Sequence, residues 1–431
     1  MLDEPLNAIE RLIEPGRVSR RVYTDPEVFE LEMQRVFGRS WLFVGHDSQI
    51  PNSGDFLTTE LGRQPVIMIR HYDDTVRVLL NRCTHRGAKV LNEPTGNAPR
   101  MSCLYHGWTF SSDGALVGVP EDDGCTASFD RKDFGLASVP RLETYRGFVF
   151  ASLAATGISL EEHLGGMKAN IDDMVDRAPE GKLALDVGVH RYIFPGNWKL
   201  QVENVLDSYH VPFGHASTVN KEGDQFSRRD GDEKGAKVIE KDKTSEDWKI
   251  RRSYDMGHGH GWTSNTKLDD GKRSSAVYSA YVDALTEKLG EKRAAEVLKP
   301  KFHNSLLYPN VSIMGLNIHV RVIKPIAVNL TEVNVYPIRL VGASKEMNAA
   351  NIRLLNVTHS AASFVQSDDA ESFTRVQSGL RSQLTEWVDI SRGMGTEDHD
   401  QDVNAPRGKA TDELVVRGQY RAWLDYMREA V

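Results

Sequence analysis

Cysteine is scarce: 431 residues hold three, Cys83, Cys103 and Cys125. That excludes a disulfide scaffold and points to a reducing, cytoplasmic setting. Basic charge is not in excess either, with 53 Lys and Arg against 61 Asp and Glu, a net charge of -8. This balance leaves no footprint for nucleic acid and disfavours an anionic membrane surface. No apolar run reaches the length of a spanning helix. The first residues, MLDEPLNAIERLIEPGRVSRR, lack an apolar core with a cleavage site, so no signal peptide is expected. Internal repeats and low-complexity linkers are also missing. What is present is ordinary for a soluble globular chain, 40% hydrophobic and 26% charged, at a length that predicts two domains.

The densest chemistry lies in Asn197–His215, NWKLQVENVLDSYHVPFGH. Asn204, Asp207 and His210 are spaced by three, so a helix would align them on one face. His215 follows His210 by five, a poor helical step, with Pro212 and Gly214 between them as breakers. The spacing predicts a helix ending near His210 and a turn that brings His215 back beside it. Two such imidazoles, with Asp207 to orient one, could hold a metal. Equally, two histidines near a helix end can be plain surface or core residues.

Elsewhere the pattern alternates. Asp25-Pro26 opens a helix with Phe29, Met33, Val36 and Phe37 as its apolar stripe, closed by Gly38. Short β-branched and aromatic runs follow at Trp41–Val44, Asp55–Thr59, Pro65–Arg70, Thr75–Leu80, Trp108–Phe110 and Gly147–Leu153, a small antiparallel β domain. Ser159-Leu-Glu-Glu162 is a capping box before a helix. Val187–Phe194, Asn310–Ile323 and Leu330–Leu340 read as strands. Val282–Leu298, Ser344–Ser378 and Asp412–Val431 read as helices. Residues 220–249 are charged and fit a solvated loop or a mobile cover. In Asp255–Trp262, DMGHGHGW, the glycines are expected to let backbone approach a pocket wall rather than to frame metal ligands. The fold class expected is α+β. A β domain over 40–155 interrupts a larger helix-grip-like domain, built on an antiparallel sheet, made of 1–39 and 156–431.

Inside the β domain, Cys83-Thr-His85 and Cys103-Leu-Tyr-His106 are separated by 17 residues. Each cysteine travels with a histidine, whereas Cys2His2 zinc fingers group like with like. That order suits a Rieske [2Fe–2S] cluster, with two thiolates on one iron and two imidazoles on the other. Gly87 and Gly107 suit tight loops around it. Cys125 falls outside the pattern as an idle thiol.

These segments together resemble the large (α) subunits of Rieske non-haem iron aromatic-ring-hydroxylating oxygenases, over nearly the whole chain. NRCTHRGAKV and CLYHGWTF look like the family's cluster loops, and NWKLQVENVLDSYHVPFGH like its iron segment. VVRGQYRAWLDYM is similar to its closing helix. The resemblance implies one mononuclear Fe(II) on His210, His215 and an acid from QSDDAESFTRVQ, Asp369 in preference to Asp368. A bottom-up reading agrees on type, since two histidines and one carboxylate suit non-haem iron. It implies that Asp207 bridges His210 to a cluster histidine of a neighbouring copy, His106. From that follows a homotrimer, with or without small β subunits. Electrons from NADH or NADPH would arrive through a reductase, with or without a ferredoxin.

Asn204 and Val211 would line the pocket. Phe364 and Val365 would too, near His359, although HSAAS replaces the family's Gly-Pro-type turn before them. Arg321 matches a position where some relatives that accept aromatic carboxylates have arginine, which can pair with a carboxylate or be structural. The activity implied is a terminal oxygenase hydroxylating a small aromatic. A Rieske monooxygenase or N/O-dealkylase is the alternative within enzymes, and an electron carrier without mononuclear iron the one outside them.

Overall fold

A computed structural model describes residues 9–215, 250–264, 276–299, 301–315 and 318–428. The charged run 220–249 lies outside them. The chain divides into two compact units. Phe37–Leu160 forms one, and the segments Met1–Val36 and Glu161–Val431 form the other. One unit therefore interrupts the other in sequence.

The interrupting unit is antiparallel β. Val76–Leu80, Gln64–Arg70, Asp55–Leu61 and Thr95–Asn97 form one sheet in that order. A second joins Arg141–Tyr145, Phe148–Ser152 and Leu42–His46. A third joins Leu116–Gly118, Thr109–Ser111 and Arg100–Ser102. The Ser112-Asp113-Gly114 turn forms as expected, with Gly114 at φ +93. The core of this unit gathers Phe56, Ile67, Ile69, Leu79, Met101 and Phe110, and Cys83, Cys103 and Trp108 pack into it. The strands thus end at the base of both Cys-His loops.

The larger unit is built on nine antiparallel strands. The order is His190–Phe194, Leu330–Pro337, His319–Ala327, Val311–Met314, Phe302–Leu307, Gly261–Ser264, Arg252–Asp255, Ala405–Lys409, Asp398–Asp400. Strand pairing fixes which side chains share a face. Arg321 lies opposite Ser312 on one side and Val335 on the other, and Val335 lies opposite His190. Stepping by two, His319, Arg321, Ile323, Tyr192 and Phe194 occupy that same face. The helix Trp198–Leu206 packs across Phe302–Leu307 and His319–Ala327, and the helix Phe364–Gly379 packs against it.

Several elements differ from expectation. Asn310–Ile323 is not one strand. It folds back on itself, pairing Val311 with Val322, because Val311–Met314 and His319–Ala327 both seek sheet partners. Val282–Leu298 is split by Gly290, at φ +77, into Ala276–Leu289 and Glu291–Val297. Ser344–Ser378 is likewise two helices, Lys345–Thr358 and Phe364–Gly379. Ser363 caps the second, accepting from Gln366 N at 3.2 Å. The helix Pro26–Arg35 keeps its Asp25 cap but ends before Val36.

Candidate metal centres

The two Cys-His loops are built alike. Cys83 N donates to Ala88 O at 2.8 Å and Gly87 N to Cys83 O at 2.9 Å. In the second loop, Cys103 N donates to Trp108 O at 2.8 Å and Gly107 N to Cys103 O at 2.9 Å. Gly87 and Gly107 take φ of +79 and +70, the left-handed conformation that closes each loop. Both cysteines are buried, while His85 is exposed and His106 half-buried. His85 stacks on Trp108, 4.8 Å between ring centres, and lies 4.5 Å from the His106 ring. Burial raises the Cys83 thiol, reinforced by Cys103 beside it.

These donors fit a two-iron cluster better than one zinc. Four ligands about 2.0–2.3 Å from a single zinc would lie within about 4 Å of one another. Among the described residues, no three of these four come within 4.8 Å together; only His210, His215 and Asp369 do so. Cys125 is free, half-buried and apart from the loops' matched geometry.

The second centre starts at Asn197. Its side chain accepts from Lys199 N at 3.1 Å and donates to Val328 O at 2.8 Å, starting the helix Trp198–Leu206. That helix is anchored by Glu32, a buried carboxylate that accepts from Trp198 Nε1 at 2.9 Å, Trp423 Nε1 at 2.7 Å and Lys199 Nζ at 2.5 Å. The helix ends at Leu206, not near His210. Asp207 already has extended ψ of 118, so Asn204, Asp207 and His210 do not share a helical face. Pro212 does not break the chain; it starts a separate turn, Val211–Gly214, where its missing N–H costs nothing. His210 and His215 flank that turn at its two ends. This is how a spacing of five brings their Nε2 atoms to 3.3 Å.

Asp369 completes the group from the helix Phe364–Gly379. Its Oδ1 lies 3.5 Å from His210 Nε2 and 3.3 Å from His215 Nε2. Asp368 sits outside the triangle, 3.5 Å from His215 Nδ1. On the other ring, Asp207 Oδ2 is 2.9 Å from His210 Nδ1. Carboxylates behind both Nδ1 atoms favour protons there, leaving Nε2 lone pairs directed at Asp369. Burial opposes charge on His210, but Asp207 and Asp369 outweigh it and raise its pKa. Burial likewise opposes charge on Asp369, but His215, His210 and Arg321 hold it low. A carboxylate kept ionised beside two imidazoles is the donor set of a non-haem iron site.

The pocket residues divide. Asn204 Nδ2 donates to Asp369 Oδ1 at 3.1 Å and lies 3.2 Å from His210 Nε2. Val211 is half-buried on the turn between the histidines. Val365 is half-buried one helical turn before Asp369. Phe364 is 47% exposed and off the face that carries Gln366, Asp369, Phe373 and Gln377. Arg321 is 4% exposed, acts electrostatically on Asp369, His359 and Tyr192, and makes no hydrogen bond to any described residue, its Nε being buried and unpaired. Spacing gave no sign of Tyr192, Gln201 or Gln366. Tyr192 Oη donates to Gln201 Oε1 at 2.9 Å, and Gln201 Nε2 donates to Asn204 Oδ1 at 3.4 Å, so a string of hydrogen bonds runs from the sheet to Asp369. In Asp255–Trp262, His260 lies 2.7 Å from His163 O through Nε2 and accepts from Tyr308 N at 2.8 Å; burial drives its pKa down to about 3.

Residues 40–140 match the Rieske [2Fe-2S] domain family, and residues 181–429 match the ring hydroxylating alpha subunit (catalytic domain) family. The chain is 33% identical to the 2-halobenzoate 1,2-dioxygenase large subunit of Burkholderia cepacia, over 96% of this chain and 90% of that one. It is 36% identical to the anthranilate 1,2-dioxygenase large subunit of Acinetobacter baylyi, over 88% and 80%. A solved structure of naphthalene 1,2-dioxygenase with indole bound in the active site superposes with a TM-score of 0.83 at 26% identity, covering 97% of this chain and 94% of that one. With a cluster fold preceding a catalytic fold, and with relatives this similar along almost all of its length, the chain belongs to the Rieske-type ring-hydroxylating dioxygenase large (α) subunits.

Proposed function

We propose that this chain is the terminal oxygenase component of a multicomponent dioxygenase that hydroxylates aromatic carboxylates in the cytoplasm. Cys83, His85, Cys103 and His106 would hold the cluster, in a domain corresponding to Phe37–Leu160. His210, His215 and Asp369 would hold the mononuclear iron. When bound, the cluster supplies electrons that began on NADH or NADPH and came through a reductase, with or without a ferredoxin, and the iron supplies O2 activation.

The remaining work falls to side chains. Asp207 holds the His210 ring by Nδ1, so its Nε2 stays turned toward Asp369. Asn204 fixes the Asp369 carboxylate through Oδ1. Arg321 carries the substrate assignment: its buried guanidinium has no hydrogen-bonding partner among the described residues and acts on Asp369 from the same sheet face. A buried fork of donors is matched by a carboxylate, which accepts two parallel hydrogen bonds.

Surface exposure supports assembly. On the cluster loop Leu104 is 83% exposed, and beside Asp207 Phe213 is 71% exposed, with Tyr105 and Tyr209 also open. Such apolar tips suit a closed ring of three copies, with or without small β subunits, in which His106 of one copy meets Asp207 of the next.

Turnover with isotopically labelled O2 tests the reading. Benzoate is expected to gain both labelled atoms as a cis-dihydrodiol. Arg321→Leu should lower kcat/KM for benzoate by about a hundredfold, the scale of a lost buried charge pair, and spare toluene. One labelled atom per product, or equal losses on both rings, would refute it.

A further inference from the structure

Gln366 is 1% exposed; among the described residues its Oε1 has no hydrogen-bond donor, and its Nε2 only approaches the Tyr192 hydroxyl without full hydrogen-bonding geometry. Buried amides are rarely left so, because each unpaired group forfeits about 1–3 kcal/mol of solvation. Gln366 lies three residues before Asp369 on the buried face of one helix, so both side chains project the same way. Nε2 turns toward the Tyr192 hydroxyl, which can accept from it, but that hydroxyl spends its one proton on Gln201 and has none for Oε1. Arg321 acts on the same hydroxyl and on Asp369, with its Nε also unpaired. Near Asp369, a cationic fork and a carboxamide whose Oε1 lacks a donor therefore both act on the one Tyr192 hydroxyl.

A carboxylate satisfies the fork, since it only accepts. It cannot satisfy Gln366 Oε1, which needs an N–H or O–H. A ring amino or hydroxyl group next to the carboxylate supplies that donor. A methyl or halogen at the same position leaves Oε1 unpaired. Resting on the carboxylate reading above, we propose that Gln366 is a specificity-determining residue that reads an amino or hydroxyl substituent adjacent to the carboxylate of the substrate ring.

The test compares kcat/KM of the holoenzyme with its reductase on 2-aminobenzoate, 2-methylbenzoate, benzoate and toluene. The native chain should favour 2-aminobenzoate over 2-methylbenzoate by about a hundredfold, because a site built for a donor rejects an isostere lacking it. Gln366→Leu should erase that preference, mainly through KM, leave benzoate within about threefold, and keep the iron content. Tyr192→Phe should leave the preference intact. No preference in the native chain overturns the proposal whether or not the variant folds. So does a Gln366→Leu loss shared equally by all three carboxylates, or a Tyr192→Phe variant that copies Gln366→Leu, which would make the amide a support for the phenol. Equal rates on benzoate and toluene would instead remove the carboxylate reading, whereas charge discrimination without substituent discrimination removes only the role of Gln366.

Discussion

Placing a carboxylate between two tyrosine hydroxyls makes its charge a matter of pH. Glu203 accepts from Tyr23 Oη at 2.9 Å and Tyr420 Oη at 2.7 Å, and the area it still shows borders a small cavity shared with Lys199, Tyr308 and Trp423. Burial drives its pKa up to about 7. A folded value above the unfolded one means that the neutral acid is the form the fold prefers. Its contribution is complete below the unfolded value near 4.5 and is lost as pH rises through about 7. Glu203→Gln keeps an acceptor for both hydroxyls without the charge. It should raise the unfolding midpoint at pH 8, flatten the fall between pH 5 and 8, and recover about 2 kcal/mol. Thermal denaturation across that range checks it. At this scale the meeting of His210 with His215 and of His85 with His106 was legible, because thiolates and imidazoles at fixed spacings have few other uses. Glu203, Gln201, Tyr192 and Gln366 were not. Carboxamides and phenols carry no spacing signature, and these meet only once sheet and helices are assembled.

Helices and strands were legible in kind but not in extent. The helix carrying Asn204 was read one turn too long, because Asp207 and Ser208 do not betray an ending that Ser208 N makes by donating to Ala410 O at 3.1 Å, some two hundred residues away. Proline between the histidines was read as a stop, while locally it begins a turn. In Asp255–Trp262, Gly259 and Gly261 do serve close approach, whereas a Cβ on Gly257 would meet nothing within 4 Å. Gly259 takes φ +78, and a Cβ there would lie 2.7 Å from Tyr308 Cγ. It sits in the turn between Arg252–Asp255 and Gly261–Ser264. Gly259→Ala would combine a disfavoured backbone with a clash against a buried ring, at a cost of about 2–4 kcal/mol. A lowered denaturation midpoint, with His260→Asn milder, is the expected outcome; an unchanged midpoint would show that the turn yields freely.

For the whole molecule, the proposed ring makes a quantitative demand. On the proposed ligand assignment, a copy with Cys103→Ser would lack a competent cluster and a copy with His215→Ala a competent iron site, so each assembled alone should be inactive. Co-assembled in equal amounts, they should regain about a quarter of native turnover, the share of contacts in a closed ring that pair a sound cluster with a sound neighbouring iron site. No recovery in verified mixed assemblies would place electron transfer within one copy. The antiparallel register has its own evolutionary consequence. Side chains alternate along His319–Ala327, so Arg321 faces the helices while Val320 and Val322 face away. Inserting or deleting a single amino acid just upstream, with the ladder re-formed one step over, would withdraw the guanidinium and present a valine in its place. On the proposed reading, descendants of this gene would thereby trade salts for hydrocarbons as food while Cys83, His85, Cys103, His106, His210, His215 and Asp369 stayed unchanged.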